Sequence, residues 1–75
     1  MNKFADHISI RPDIRFGKPC ITGTRIAVND ILSWLASGMS HEEILKDYPL
    51  LKDEDILAAL SFAANRESII KLVVN

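Results

Sequence analysis

The sequence predicts a mostly α fold, a three-helix bundle preceded by a short N-terminal β element. Three observations predict it. Apolar residues recur at helical spacing from Val28 onward, with helix stops and starts written between them at Gly38, Ser40 to Glu43 and Pro49. The stretch Gly17-Lys18-Pro19-Cys20-Ile21-Thr22-Gly23-Thr24-Arg25-Ile26-Ala27-Val28 opposes a helix instead. Glycine adds unfolded-state entropy, proline lacks the N–H, and Ile and Thr are stiff at χ1.

Within that stretch, Cys20-Ile21-Thr22 and Arg25-Ile26-Ala27 are expected as two short strands, with Gly23 supplying the positive φ of a tight turn. Ahead of it, Ile8-Ser9-Ile10 alternates as a short strand with both isoleucines on one face. Arg11-Pro12-Asp13 turns the chain, because Pro12 holds Arg11 extended and presets its own φ. Phe16 is expected to be the apolar pin of this loop.

The first helix is expected from about Asn29 to Ser37, with Asn29 as N-cap and Asp30 favourable to the helix dipole. Val28, Ile31, Leu32 and Leu35 share one face, and Trp34 lies on its flank. Gly38 ends this helix in the left-handed conformation. Ser40-His41-Glu42-Glu43 is a capping box, which opens a second helix over His41 to Asp47 with Ile44 and Leu45 inward. Pro49 breaks it. The third helix is expected from Asp53 to about Asn65 or Arg66, with Ile56, Leu57, Leu60, Ala63 and Ala64 as the core stripe. Phe62 projects away from that stripe beside Ala58 and Ala59, on a second apolar face.

The chain thus divides into an extended element (1–28), a three-helix bundle (29–66) and an apolar tail (67–75), all in one domain. A chain of 75 residues buries only about 60% of its unfolded surface, so its core is small. A composition 48% apolar and 25% charged is globular and excludes disorder or a membrane span. No apolar run is long enough to cross a bilayer and the start carries no signal-peptide pattern, so a cytoplasmic protein is expected. One cysteine, Cys20, and two histidines, His7 and His41, give no disulfide and no metal-ligand spacing. No cofactor is expected.

Charge is uneven. Residues 1–25 carry Lys3, Arg11, Arg15, Lys18 and Arg25 against Asp6 and Asp13, a net +3, while the rest carries −4. Any nucleic acid is therefore expected to meet Arg11, Arg15, Lys18 and Arg25. Arg25 also has a structural role open to it, holding backbone carbonyls or a helix acid such as Asp30 or Glu43.

Three helices joined by short turns suggest a homeodomain-like, helix-turn-helix arrangement. Its third helix, however, opens with Lys52-Asp53-Glu54-Asp55, acids that suit a helix N-terminus and repel phosphate. Enzymatic arrangements are not legible. Lys18 is misplaced for a phosphate loop, Cys20 lacks an evident base, and consecutive acids on a helix diverge.

Gly23-Thr24-Arg25-Ile26, Gly38-Met39-Ser40, Glu43-Ile44, Tyr48-Pro49-Leu50 and Asp55-Ile56 with Ala58, Ala59 and Leu60, in this order and spacing, resemble the pattern of domain of unknown function family 433. The resemblance covers most of the chain, with Ala27, Cys20 and Lys52 departing from it. It implies a VapB-like antitoxin of helix-turn-helix fold, paired with a PIN-like nuclease toxin; many antitoxins also bind operator DNA. The alternative is a DNA-binding regulator without a toxin.

A small core and a second apolar face suggest a homodimer through Ala58, Ala59 and Phe62. The tail, with Ile69, Ile70, Leu72, Val73 and Val74, is β-prone and is expected to contact the toxin as an added strand. The competing expectations are that the third helix continues to the terminus, or that the tail pairs with the first strand or with its dimer mate.

Overall fold

The computed structural model describes the backbone of residues 5–74 and the side chains of residues 6–65. A single 3-10 turn, Ala5–His7, leads into β1 (Ile8–Ser9). A tight turn, Arg15–Gly17, precedes β2 (Cys20–Ile21), and three helices follow: α1 (Val28–Ala36), α2 (His41–Asp47) and α3 (Asp53–Val74). The protein is therefore mostly helical, three helices on a small two-stranded β element.

β1 and β2 pair antiparallel, Ile8 opposite Ile21 and Ser9 opposite Cys20. The expected hairpin is reduced to one bridge between Cys20 and Ala27. The Ile21 N–H donates to the Ile26 carbonyl at 2.9 Å, while Thr24 Oγ1 donates to the Ile21 carbonyl and accepts from the Ile26 N–H. Thr24 thus uses backbone groups that a longer ladder would need. β1 is shorter than expected too. Ile8 packs against the core whereas Ile10 is 60% exposed, because the pairing stops at Ser9 and nothing fixes Ile10 to the same face.

α1 begins before Asn29. Ala27 is its N-cap, and Asp30 accepts the Ala27 N–H at 3.0 Å, so a carboxylate three residues in does the capping expected of Asn29. Its end follows the sequence. Gly38 has φ 101°, the Gly38 N–H donates to the Leu35 carbonyl, and the Met39 N–H donates to the Trp34 carbonyl, the paired bonds of a Schellman motif. α2 starts on the expected capping box. The Glu43 N–H donates to Ser40 Oγ at 3.1 Å and the Ser40 N–H to the Glu43 carboxylate at 3.0 Å. The Ser40 backbone N–H, and then its side chain, hold the Glu43 carboxyl below the usual carboxylate range.

The core is Ile21, Val28, Ile31, Ile44, Leu51, Ile56 and Ala59, with Ile8, Ile26, Leu32, Trp34, Leu35, Met39, Leu45, Tyr48 and Phe62 packed against it. Each fully buried isoleucine contributes about 1.5–3 kcal/mol. The Trp34 and Tyr48 rings stack with centroids 4.1 Å apart and tie α1 to the end of α2.

The buried face of α3 differs from the expected stripe. Asp55, Ile56, Ala58 and Ala59 are buried and Phe62 packs on the core, while Leu57 and Leu60 are each 39% exposed and Ala64 is exposed. At about 100° per residue the sequence offers two apolar arcs that share Ile56. Large leucines mark one and alanines the other. The alanine arc turns inward together with Asp55, which accepts the Lys52 N–H and meets His7. The tail follows the competing expectation that the third helix continues, past the Asn65 or Arg66 expected as its end. Residues 67–74, including Ile69, Ile70, Leu72, Val73 and Val74, are helical backbone continuous with α3 rather than a strand, because unbroken i to i−4 hydrogen bonding carries the helix forward.

Candidate functional site

Three surface features carry chemistry. The first is the turn Arg15–Gly17, where φ is 51° at Arg15, 58° at Phe16 and 81° at Gly17. Left-handed backbone suits Gly17 but costs about 1–2 kcal/mol at each of the two other residues. The turn is held by N–H donation from Ile14 to Arg11, Gly17 to Ile14 and Lys18 to Arg15. It is also held by Arg15, whose Nη1 donates to the Arg25 carbonyl at 2.9 Å and to Asp30 Oδ2 at 3.1 Å. The tie between the N-terminal element and the bundle is thus made by Arg15, and Arg25 supplies only its carbonyl.

Phe16 is 99% exposed and pins nothing. Its left-handed backbone turns the ring out into solvent. Of the four cations expected at a nucleic-acid surface, Arg15 is committed to the fold and Arg11 pairs with Asp13 at 3.3 Å in solvent. Lys18 and Arg25 are exposed, and among the described residues their side chains make no ion pair.

The second feature is a cleft of about 270 Å³ lined by Asp6, His7, Thr22, Leu50, Lys52 and Asp55. Asp55 is 7% exposed and lies at its base. His7 Nδ1 stands 2.8 Å from Asp55 Oδ1, and the other carboxylate oxygen accepts the Lys52 N–H at 2.9 Å. The wall is closed by Thr22, whose N–H donates to the His7 carbonyl and whose Oγ1 donates to the Asp6 carbonyl. A second histidine, His41, lies 3.4 Å from Asp53 on the same first turn of α3. No pattern in the residues marked the His7–Asp55 pair, which spans 48 residues. The spacing Lys52-x-x-Asp55 could have marked Asp55 as a capping acid.

The third feature is the outer side of α3, with Leu57, Leu60 and Ala64 open to solvent. Ala58, Ala59 and Phe62, expected at a dimer contact, are on the inner side and already covered. The side chains of Ile69, Ile70, Leu72, Val73 and Val74 lie outside the described residues. Among the described residues no helix is long and apolar enough to cross a membrane.

Residues 8–63 match the family described as protein of unknown function, DUF433. The chain belongs to the DUF433 family. A crystal structure of a DUF433 member from Anabaena variabilis superposes with a TM-score of 0.77 at 30% identity, over 95% of this chain and 71% of that one. The chain is also 38% identical over 56 residues to the uncharacterized protein y4eO of Sinorhizobium fredii. That match covers 75% of this chain but only 25% of y4eO, so the chain spans about a quarter of that relative's length. The match to the DUF433 family ends at residue 63, within α3, which runs on to Val74.

Proposed function

We propose that this DUF433 chain is an interaction module of antitoxin type, which binds and neutralises a PIN-like nuclease toxin as one half of a type II toxin–antitoxin pair. The observation that carries the reading is α3. It has 22 residues, about 33 Å at helical rise, continues beyond the family region, and exposes Leu57 and Leu60. A helix with open leucines on one side docks into a partner's apolar groove, with anchors spaced three and four apart. Toxin contact is therefore assigned to the outer side and C-terminal half of α3, as helix-in-groove rather than strand addition.

The reading gives this chain no catalysis of its own. Asp55 and His7 hold the first turn of the chain against α3, and no nucleophile is assigned beside them. Operator DNA is a second reading, favoured by the exposed cations Lys18 and Arg25 and by Arg11 at the rim of the same segment. Helix-turn-helix readout through α3 is disfavoured by Asp53 and Glu54 in its first turn.

The test is co-expression with the product of the neighbouring open reading frame, which this reading expects to be a small nuclease. The wild-type chain is expected to relieve growth arrest and co-purify with the nuclease, and the double variant Leu57→Asp, Leu60→Asp to lose both. Absence of any complex with the wild-type chain, or full neutralisation by the double variant, overturns the reading. For DNA, a gel shift on the upstream promoter should weaken on Lys18→Ala and Arg25→Ala, with the log–log salt slope falling by about 0.9 per lost phosphate contact.

A further inference from the structure

The two most exposed large apolar side chains among the described residues are Phe16 at 99% and Leu50 at 76%, and they stand on surfaces of opposite character. Phe16 tops a turn with Lys18 exposed two residues on and the Arg25 backbone drawn up to it by Arg15. Leu50 lines the cleft with Asp6 and Asp55, and the exposed acids Asp53 and Glu54 lie on the adjoining first turn of α3.

We infer that Phe16 is a knob that docks into the Leu50 cleft of a second copy of this chain. Four observations support the match. The cleft, at about 270 Å³, exceeds the roughly 150 Å³ that suffices to hold a benzene ring. Its most buried polar group, Asp55, is already satisfied by His7 and the Lys52 N–H, so covering it with a ring strands no carboxylate. The partially positive edge of an aromatic ring is compatible with neighbouring carboxylates, while Leu50 and the His7 ring offer apolar faces. Charge agrees, since a turn carrying Lys18 and Arg25 approaches a cleft lined by Asp6, with the exposed acids Asp53 and Glu54 on the adjoining turn of α3 and Lys52 the one opposing lysine or arginine in the lining among the described residues.

The backbone gives independent support. Phe16 is bulky, left-handed and solvated, a combination that contributes nothing to the isolated fold and that Asn or Gly would satisfy better. The turn is nevertheless fixed at five hydrogen bonds, three from backbone N–H groups and two from Arg15. It therefore fixes the direction in which the Phe16 side chain leaves the backbone, so docking costs rotamer freedom of the ring but little backbone freedom.

Knob and cleft are different surfaces. Two copies can make the contact reciprocally as a closed pair, or successive copies can make it head to tail as an open chain. The inference stands apart from the antitoxin reading, whose test uses Leu57 and Leu60.

Sedimentation velocity of the full chain over micromolar to millimolar concentration tests it. The wild-type weight-average mass is expected to rise with concentration, and to rise less at high salt. Phe16→Asn, which removes the knob, and Leu50→Ser, which strips the cleft, should each weaken association by about tenfold or more. Both positions are exposed, and circular dichroism melts should show both variants folded, with Phe16→Asn melting no lower than wild type. An equimolar mixture of the two variants should associate more than either alone and stop at a pair held by one contact, because the Leu50→Ser chain keeps the knob and the Phe16→Asn chain keeps the cleft. A wild-type chain that stays monomeric throughout overturns the inference. So does association that survives Phe16→Asn but is lost in Leu57→Asp, Leu60→Asp, which would place the second copy on α3.

Discussion

The two sides of α3 carry similar apolar content and do opposite work. On the inner side Ile56, Ala58 and Ala59 are buried and Phe62 packs on the core, together with the buried acid Asp55. On the outer side Leu57 and Leu60 remain partly open, beside the exposed acid Glu54. Side-chain size does not decide which arc goes in. Small residues let helix backbones approach, and one acid with two hydrogen-bond partners is admitted where an apolar pattern would exclude it. Hydrophobicity alone ranks the arcs wrongly when a cap and a pair between distant parts of the chain select the other one.

The largest effect is expected at the centre of the inner side. Ile56→Ala should destabilise by about 2–5 kcal/mol, a large part of the stability of so small a domain, read as a fall in the urea midpoint. Leu57→Ala is the matching control on the outer side and should cost far less. Equal losses would mean that α3 sits in solution with its leucine arc inward.

The two acids sharpen the comparison next. Asp55→Ala removes the acceptor of the Lys52 N–H and the partner of His7, and should cost about 1–3 kcal/mol. Glu54→Ala on the outer side should stay within about 0.5 kcal/mol. Thermal melts of the two single variants decide this.

The capping box that opens α2 is a local feature against which these tertiary effects can be scaled. Ser40→Ala should cost about 1 kcal/mol in the urea midpoint. The Glu43 carboxyl is held below its ordinary range by the Ser40 N–H and side chain. Because the folded value lies below the unfolded one, the contribution is present above the ordinary carboxylate range and lost as pH falls through the lower, folded value. Glu43→Gln should therefore flatten the acid limb of melting temperature against pH and leave its neutral plateau shape unchanged. A variant whose acid limb matches wild type removes the assignment.

The smallest stability effect is expected on the outer side. Leu57→Ser with Leu60→Ser should change the melting temperature little while lowering the binding of an apolar-surface dye. Strong destabilisation would show that these leucines are covered in the free protein.

Features whose partners lie within a helical turn were legible in the residues alone. The Ser40–Glu43 box, the Gly38 stop, the break at Pro49 and the start of α3 near Asp53 all follow from residues a few positions apart. Their hydrogen bonds close before any tertiary contact is made. The family pattern was legible for the same reason, being built largely from these glycines, caps and turns.

Choices between local solutions of nearly equal merit were left to long-range contacts. The sequence offered two apolar arcs on α3, named Arg25 for the Asp30 tie and left the ending of the tail open. The fold chose the alanine arc, Arg15 and a continuous helix. The cleft was the least legible, because its His7 and Asp55 are 48 residues apart, and no spacing rule reaches across the chain reversal that brings them together. Phe16 fails in the opposite direction. An aromatic residue in a short loop suggests a buried pin, yet the left-handed turn fixed by Arg15 points it into solvent, and backbone direction at such a turn is set by distant hydrogen bonds rather than by the residue's hydrophobicity.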